Sequence, residues 1–66
     1  MTPWKIKGNN GYVIINLDTV RSIFHSGKIV YYTMQSIIYE EEFCREEEAA
    51  KRLKDVYSYL TGERNE

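Results

Sequence analysis

The sequence predicts one small α+β domain over residues 1–66, with an antiparallel meander of four to five strands and one C-terminal amphipathic helix packed on one face. β-branched and aromatic residues dominate about residues 4–40, which is typical of strands. The apolar spacing becomes helical over about residues 45–61, and residues 62–66 are expected to fray. A chain of 66 residues, of which 42% are hydrophobic and 29% charged, has the composition of a globular protein and the length of one domain.

The first two strands are predicted as a hairpin. Trp4 and Ile6 alternate with two lysines, which is the period of a half-buried strand. Residues 8–11 read Gly-Asn-Asn-Gly and tolerate the positive φ of a tight turn. The β-branched and aromatic residues 12–15 form the second strand.

A single helical turn is predicted after this hairpin. Leu17, Val20 and Ile23 recur every three residues, so one turn directs all three side chains inward. Asn16 and Asp18 are placed to cap that turn through their side-chain oxygens.

The chain then returns to extended structure. Residues 23–25 continue the sheet, Ser26-Gly27 turns, and residues 28–33 form another strand. A further strand is predicted over residues 36–40, which completes the meander.

The final third has the pattern of an amphipathic helix. Its predicted core-facing side is made of Ala49, Ala50, Leu53, Val56, Tyr57 and Leu60. Glutamates in the first turn suit the helix dipole. Glu47 with Lys51 and Glu48 with Arg52 have the spacing of favourable ion pairs, and Gly62 is placed to end the helix.

Charge and cysteine content limit the cellular setting. The net charge of −1 gives no global attraction to nucleic acid or to an anionic membrane, although six glutamates lie within residues 40–48. Residues 1–5 lack the pattern of a secretory signal, and Cys44 has no second cysteine with which to form a disulfide. No apolar run approaches the roughly 20 residues of a membrane span. We therefore expect a cytoplasmic protein with no membrane partner, in the host cytoplasm if it is phage-encoded.

The sequence contains no arrangement typical of catalysis or cofactor binding, so we expect no enzyme activity, no cofactor and no metal site. A structural zinc site needs four N or S ligands, whereas this chain has His25 and Cys44, 19 positions apart. Gly8 and Gly11 belong to the predicted hairpin rather than to a phosphate-binding loop.

The stretch over residues 11–23, with Asn16 and Asp18 after the second strand, resembles a motif of very short bacterial and phage proteins, G-x4-N-L-D-x-V-x2-I. It is similar to the small flagellar FlbD (SwrD) family, in which a strand, this turn, a hairpin and a final helix follow one another. The likeness extends to Thr33, and the glutamate-rich start and tyrosines of the helix depart from it. The resemblance implies a β-rich adaptor, with the turn, Asn16 and Asp18 as structural residues.

The function that we expect is a small non-enzymatic protein–protein interaction module, either an adaptor or a phage-type inhibitor that binds a host protein. One helix covers one face of a sheet, so apolar residues are left over on the other face, and such patches mark interfaces. Self-association is a common remedy for so small a core, and a homodimer is the commonest assembly. The predicted interface residues are Tyr12, Ile14, Tyr32, Ile38 and Tyr39.

An alternative function is the binding of single-stranded nucleic acid or a nucleotide. Aromatic side chains on an exposed sheet stack on bases, and neighbouring cations contact phosphates. The residues predicted for these contacts are Lys5, Lys7, Arg21, Lys28 and Tyr31.

Overall fold

A computed structural model of the chain describes residues 2–8 and 10–62. They form five strands, one 3₁₀ turn and a C-terminal helix: β1 (Pro3–Gly8), β2 (Gly11–Asn16), the 3₁₀ turn (Leu17–Thr19), β3 (Ser22–Ser26), β4 (Ile29–Thr33), β5 (Ile38–Glu42) and α1 (Glu46–Thr61). The predicted α+β class, with antiparallel strands followed by one helix, is therefore confirmed. Of residues 62–66, which are predicted to fray, residues 63–66 lie outside the described residues.

The strands form two sheets rather than the single meander that the sequence predicts. β1 pairs with β2, and β3, β4 and β5 form a separate three-stranded sheet in that order. The separation begins at the 3₁₀ turn, where Leu17 enters the core and the chain leaves the direction of β2. The backbone N–H of Arg21 then donates to the carbonyl of Thr33 at 2.8 Å, so β3 starts in register with β4 rather than with β2.

Asn16 caps the 3₁₀ turn, as predicted. Its Oδ1 accepts hydrogen bonds from the backbone N–H groups of Asp18 and Thr2, each at 3.1 Å. Asp18 has a different role from the predicted cap, because its carboxylate accepts a hydrogen bond from the Thr2 hydroxyl at 2.7 Å. The turn thus anchors the start of the chain beside the end of β2.

β5 begins two residues later than predicted, at Ile38 rather than Ser36. The N–H of Met34 donates to the carbonyl of Ile37 at 2.8 Å and closes a turn before the strand starts. Because side chains alternate along a strand, this register decides which glutamate of β5 points inward. It places Glu41 opposite Val30, on the inner face of the sheet.

The core lies between the two sheets and the helix. Both sheets contribute one face to it, and α1 packs against β3 and β4 while β1 contacts β5. The buried apolar residues are Ile6, Ile15, Leu17, Val30, Tyr32, Ala49 and Val56. The β1–β2 sheet and the helix therefore share the inner face of the three-stranded sheet.

The buried side of α1 is narrower than predicted. Ala49 and Val56 are buried and Leu53 is half-buried, but Tyr57 and Leu60 are exposed. A sheet of three short strands contacts only the central strip of the helix surface. Among the described residues, no helix has the length and apolar character needed to cross a membrane.

The polar side of α1 also differs from the prediction. Lys51 pairs with Asp55 at 3.4 Å, and Arg52 pairs with Glu41 of β5. The Glu48 carboxylate instead accepts a hydrogen bond from the backbone N–H of Cys44 at 3.2 Å. Gly62 has φ +76° and ends the helix, as predicted.

Candidate functional site

The strand register leaves one face of the three-stranded sheet pointing away from the core. Phe24 pairs across the strands with Tyr31, and Tyr31 pairs with Glu40. The helix and the β1–β2 sheet pack on the opposite face. We call this outward surface the acidic face, and it comprises Phe24, Ile29, Tyr31, Ile38, Glu40 and Glu42.

The acidic face has two stacked aromatic rings at its centre and two glutamate carboxylates along one side. The rings of Phe24 and Tyr31 stack with centroids 5.0 Å apart and planes 20° from parallel. Phe24 is 46% exposed and Ile38 is 59% exposed. Glu40 and Glu42 are exposed along β5. The surface thus combines an accessible aromatic pair with two anionic groups.

The outward surface of the β1–β2 sheet has the opposite charge. We call it the basic face, and it comprises Lys5, Lys7, Tyr12 and Ile14. Tyr12 and Ile14 are 68% and 67% exposed. The Lys5 Nζ lies 4.7 Å from the centroid of the Tyr12 ring, and the Lys7 Nζ lies 4.3 Å from that of Phe43. Each ammonium group is therefore placed on an aromatic ring.

A groove of about 440 Å³ adjoins the basic face. It is lined by Trp4, Lys5, Lys7, Tyr12, Glu41, Phe43 and Arg52. Three cations and three aromatic rings suit a planar anionic group, but Arg52 and Glu41 already bind each other there.

Glu41 is the centre of a buried polar network beneath this groove. Its side chain is 1% exposed and accepts hydrogen bonds on both oxygens. Oε1 accepts from the Tyr32 hydroxyl at 2.8 Å and from Arg52 Nε at 3.0 Å. Oε2 accepts from Arg52 Nη2 at 3.1 Å and from the backbone N–H of Lys7 at 3.0 Å. All the hydrogen-bonding capacity of a carboxylate is thus used within the fold.

Arg52 extends the network to β1. Its Nη2 also donates to the carbonyl of Lys5, and its guanidinium lies 4.5 Å from the centroid of the Trp4 ring. The Trp4 indole donates to the Tyr32 hydroxyl at 3.2 Å. The Glu41–Arg52 pair therefore hydrogen-bonds to the backbone of β1 where a neighbouring strand would otherwise do so.

Burial and charge shift the pKa values of two groups in this network. Burial raises the pKa of the Tyr32 hydroxyl, and its hydrogen bond to the Glu41 carboxylate raises it further. Burial alone lowers the pKa of Arg52, but the hydrogen bond and the charge of Glu41 outweigh it, so the pKa is raised. Tyr32 is thus held neutral and Arg52 charged, which suits a structural network.

The structure distributes the predicted interface residues over different surroundings. Tyr12, Ile14 and Ile38 lie on outward faces, as an interface requires. Tyr32 was predicted wrongly, because it is 0% exposed on the inner face of the central strand. Tyr39 is its cross-strand neighbour and is half-buried on the same inner face. The Phe24–Tyr31 stack was not predicted as part of the interface, since alternation alone does not show which face of a sheet the helix covers.

The residues predicted to contact nucleic acid do not form one surface. Lys5 and Lys7 lie together on the basic face, and Tyr31 lies on the acidic face. Arg21 borders an apolar groove beside α1, and Lys28 occupies the turn between β3 and β4. The prediction of one shared face is therefore wrong, because Arg21 and Lys28 flank opposite ends of β3.

His25 and Cys44 remain apart from these surfaces. His25 lies on the inner face, and its Nδ1 is buried without a hydrogen-bond partner among the described residues. Cys44 is an exposed free thiol before α1. Within residues 2–8 and 10–62, no three His, Cys, Asp or Glu side chains are grouped to hold a metal ion.

Comparison with protein-family models, curated proteins and solved structures finds no match to this chain. The resemblance to the FlbD (SwrD) family stays a prediction.

The network predicts that Glu41→Gln destabilises the protein by about 3–5 kcal/mol, because it leaves the Arg52 charge partly buried without an anion. Glu40→Gln, one residue away on the exposed face, should change the free energy of unfolding by less than about 0.5 kcal/mol. Urea unfolding of both variants, at a protein concentration low enough to keep the chains monomeric, measures these changes. If Glu41→Gln does not fold, Glu41→Leu combined with Arg52→Met removes both charges and should restore folding. Equal effects at positions 40 and 41 would contradict the network.

The raised pKa of Tyr32 predicts that stability falls as the pH rises above about 10, the pKa of an unfolded tyrosine. The folded protein favours the neutral hydroxyl of Tyr32. This group therefore contributes its full stabilisation to the folded state below about pH 10, and the contribution is lost as the pH rises towards the higher pKa of the folded state. Up to about pH 11, folded wild type and Tyr32→Phe should gain the same phenolate absorbance. When both are unfolded in urea, the variant should gain one-sixth less phenolate absorbance than wild type, since the chain has six tyrosines. A smaller gain by the folded variant would refute the shift.

Proposed function

We propose that this protein is a non-enzymatic protein–protein interaction module that works as a homo-oligomer, as an adaptor or as an inhibitor of another protein. The observation that carries the proposal is the acidic face, where Phe24 and Tyr31 stack outward while α1 and β1–β2 occupy the inner face. Exposed aromatic pairs next to charged groups are typical of interfaces.

The size of the domain supports a second copy as the first partner. A chain of 66 residues buries a smaller fraction of its surface on folding than a larger domain does, and association with another copy buries more of it. Phe24, Ile38, Tyr12 and Ile14 are all large apolar residues with about half or more of their surface exposed. Covering them by another copy removes this surface from water.

The internal use of the polar groups supports a non-enzymatic function. Glu41, the buried carboxylate, has both oxygens occupied by Tyr32, Arg52 and Lys7. Glu40 and Glu42 are exposed on β5 rather than buried in an enclosed site. The exposed free thiol of Cys44 suits the reducing cytoplasm in which we propose that the protein works.

Light scattering over a concentration series tests the proposal. The wild-type mass should exceed that of one chain at high micromolar concentration. Phe24→Thr keeps strand propensity but removes the ring, and it should weaken association about tenfold, as expected when an aromatic ring buried by association is removed. Tyr57→Ala removes an aromatic residue of α1 that is more exposed than Phe24, 59% against 46%, and it should leave association unchanged. A monomeric wild type, or loss of association only in the Tyr57 variant, would overturn the proposal.

A second candidate is the binding of single-stranded nucleic acid or a nucleotide at the groove beside the basic face. Lys5 and Lys7 support it, because their ammonium groups lie on aromatic rings and are available to phosphates. Anisotropy of a labelled single-stranded oligonucleotide at two salt concentrations should then show salt-sensitive binding. Lys5→Glu with Lys7→Glu should abolish binding. Arg45→Glu with Lys54→Glu changes the net charge equally, away from the groove, and should not abolish binding. Binding that does not change with salt concentration, and that persists in the variant with Lys5→Glu and Lys7→Glu, would exclude this candidate.

A further inference from the structure

The two outward faces point away from one shared core and carry opposite charge. Ile6 and Ile15 of the β1–β2 sheet lie in the same core as Val30 and Tyr32 of the three-stranded sheet. The outer faces of the two sheets are therefore different surfaces of one molecule. One carries two ammonium groups and the other two carboxylates.

The basic face has its charges on one strand and its apolar groups on the next. Lys5 and Lys7 are two residues apart on β1, so their positions are separated by about 7 Å. Ile14 lies opposite Lys5 and Tyr12 opposite Lys7 on β2. The face is thus a two-by-two arrangement, with one charged row and one apolar row.

The acidic face repeats this arrangement with the opposite sign. Glu40 and Glu42 are two residues apart on β5, which gives the same spacing of about 7 Å. Tyr31 lies opposite Glu40 and Ile29 opposite Glu42 on β4. In each sheet the charged and apolar rows are separated by about 4.8 Å, the distance between neighbouring strands. The two faces therefore match in spacing, in apolar content and in complementary charge.

We propose that copies of this chain associate head to tail, with the basic face of one copy on the acidic face of the next. This rests on the proposed function as a homo-oligomer and specifies its interface. β1 of one copy lies over β5 of the other, so each lysine meets a glutamate, while β2 lies over β4 and the apolar rows meet. Pairing of two basic or two acidic faces brings like charges together, which disfavours it.

The consequence is an assembly unlike the symmetric dimer that the sequence suggested. A contact between two different surfaces leaves an unused face at each end, so it closes into a ring or continues as a filament. Phe24 of β3 stacks on Tyr31 beside the apolar row of the acidic face, and it adds contact area beyond the four paired residues of that face.

Charge reversal on each face tests this arrangement. One variant is Lys5→Glu with Lys7→Glu, and the other is Glu40→Lys with Glu42→Lys. All four side chains are exposed, and circular dichroism verifies that both variants fold. Each variant alone should associate at least about tenfold more weakly than wild type, because like charges then face each other. An equimolar mixture should recover the wild-type mass, since each acidic surface again meets a basic one.

Matched controls and other outcomes separate this inference from the proposed function. Arg45→Glu with Lys54→Glu, and Glu46→Lys with Glu47→Lys, make the same charge changes in α1 and at its N-cap and should not alter the mass. If both face variants associate as strongly as wild type, or if their mixture stays monomeric, the head-to-tail contact is overturned. Homo-oligomerisation of the wild type is not overturned by either result. A monomeric wild type overturns both.

Discussion

The fold depends on the Glu41–Arg52 pair at the free edge of β1. β1 has one strand neighbour, and its other edge meets the carboxylate and the guanidinium through the N–H of Lys7 and the carbonyl of Lys5. A buried carboxylate is costly unless it is fully hydrogen-bonded, and here every partner comes from a different element. The pair therefore specifies how β1, β5 and α1 are arranged, because moving any of them leaves a buried polar group unsatisfied.

The aromatic residues of β1 and α1 enclose this pair. The Trp4 ring contacts both the Arg52 guanidinium and the Tyr59 ring, whose centroid is 5.0 Å from that of Trp4. The Tyr59 hydroxyl donates to the carbonyl of Pro3 at 3.0 Å. These contacts limit water access to the Glu41–Arg52 pair, which strengthens its electrostatic attraction. A small chain thus obtains specificity from polar groups where its apolar core is limited.

The inner faces of both sheets form the core and the polar network, so the outer faces are left to contact other molecules. The polar network and the apolar core draw on the inward residues of both sheets, so the outward residues contribute little to the stability of one copy. The Phe24–Tyr31 stack and the Lys5–Tyr12 contact are both on these outward surfaces. The surface rather than the interior is where a function of this protein is expected.

The sequence alone determined the elements that depend on neighbours along the chain. The spacing of apolar residues predicted the strands, the turn capped by Asn16 and the helix that ends at Gly62, because these follow from local periodicity and local hydrogen bonds. The tertiary structure decided the division into two sheets, the burial of Tyr32 and the choice of Glu41 among the six glutamates of residues 40–48. These outcomes depend on strand register and on which distant element covers a face, since a shift of one residue turns every side chain of a strand to the other side.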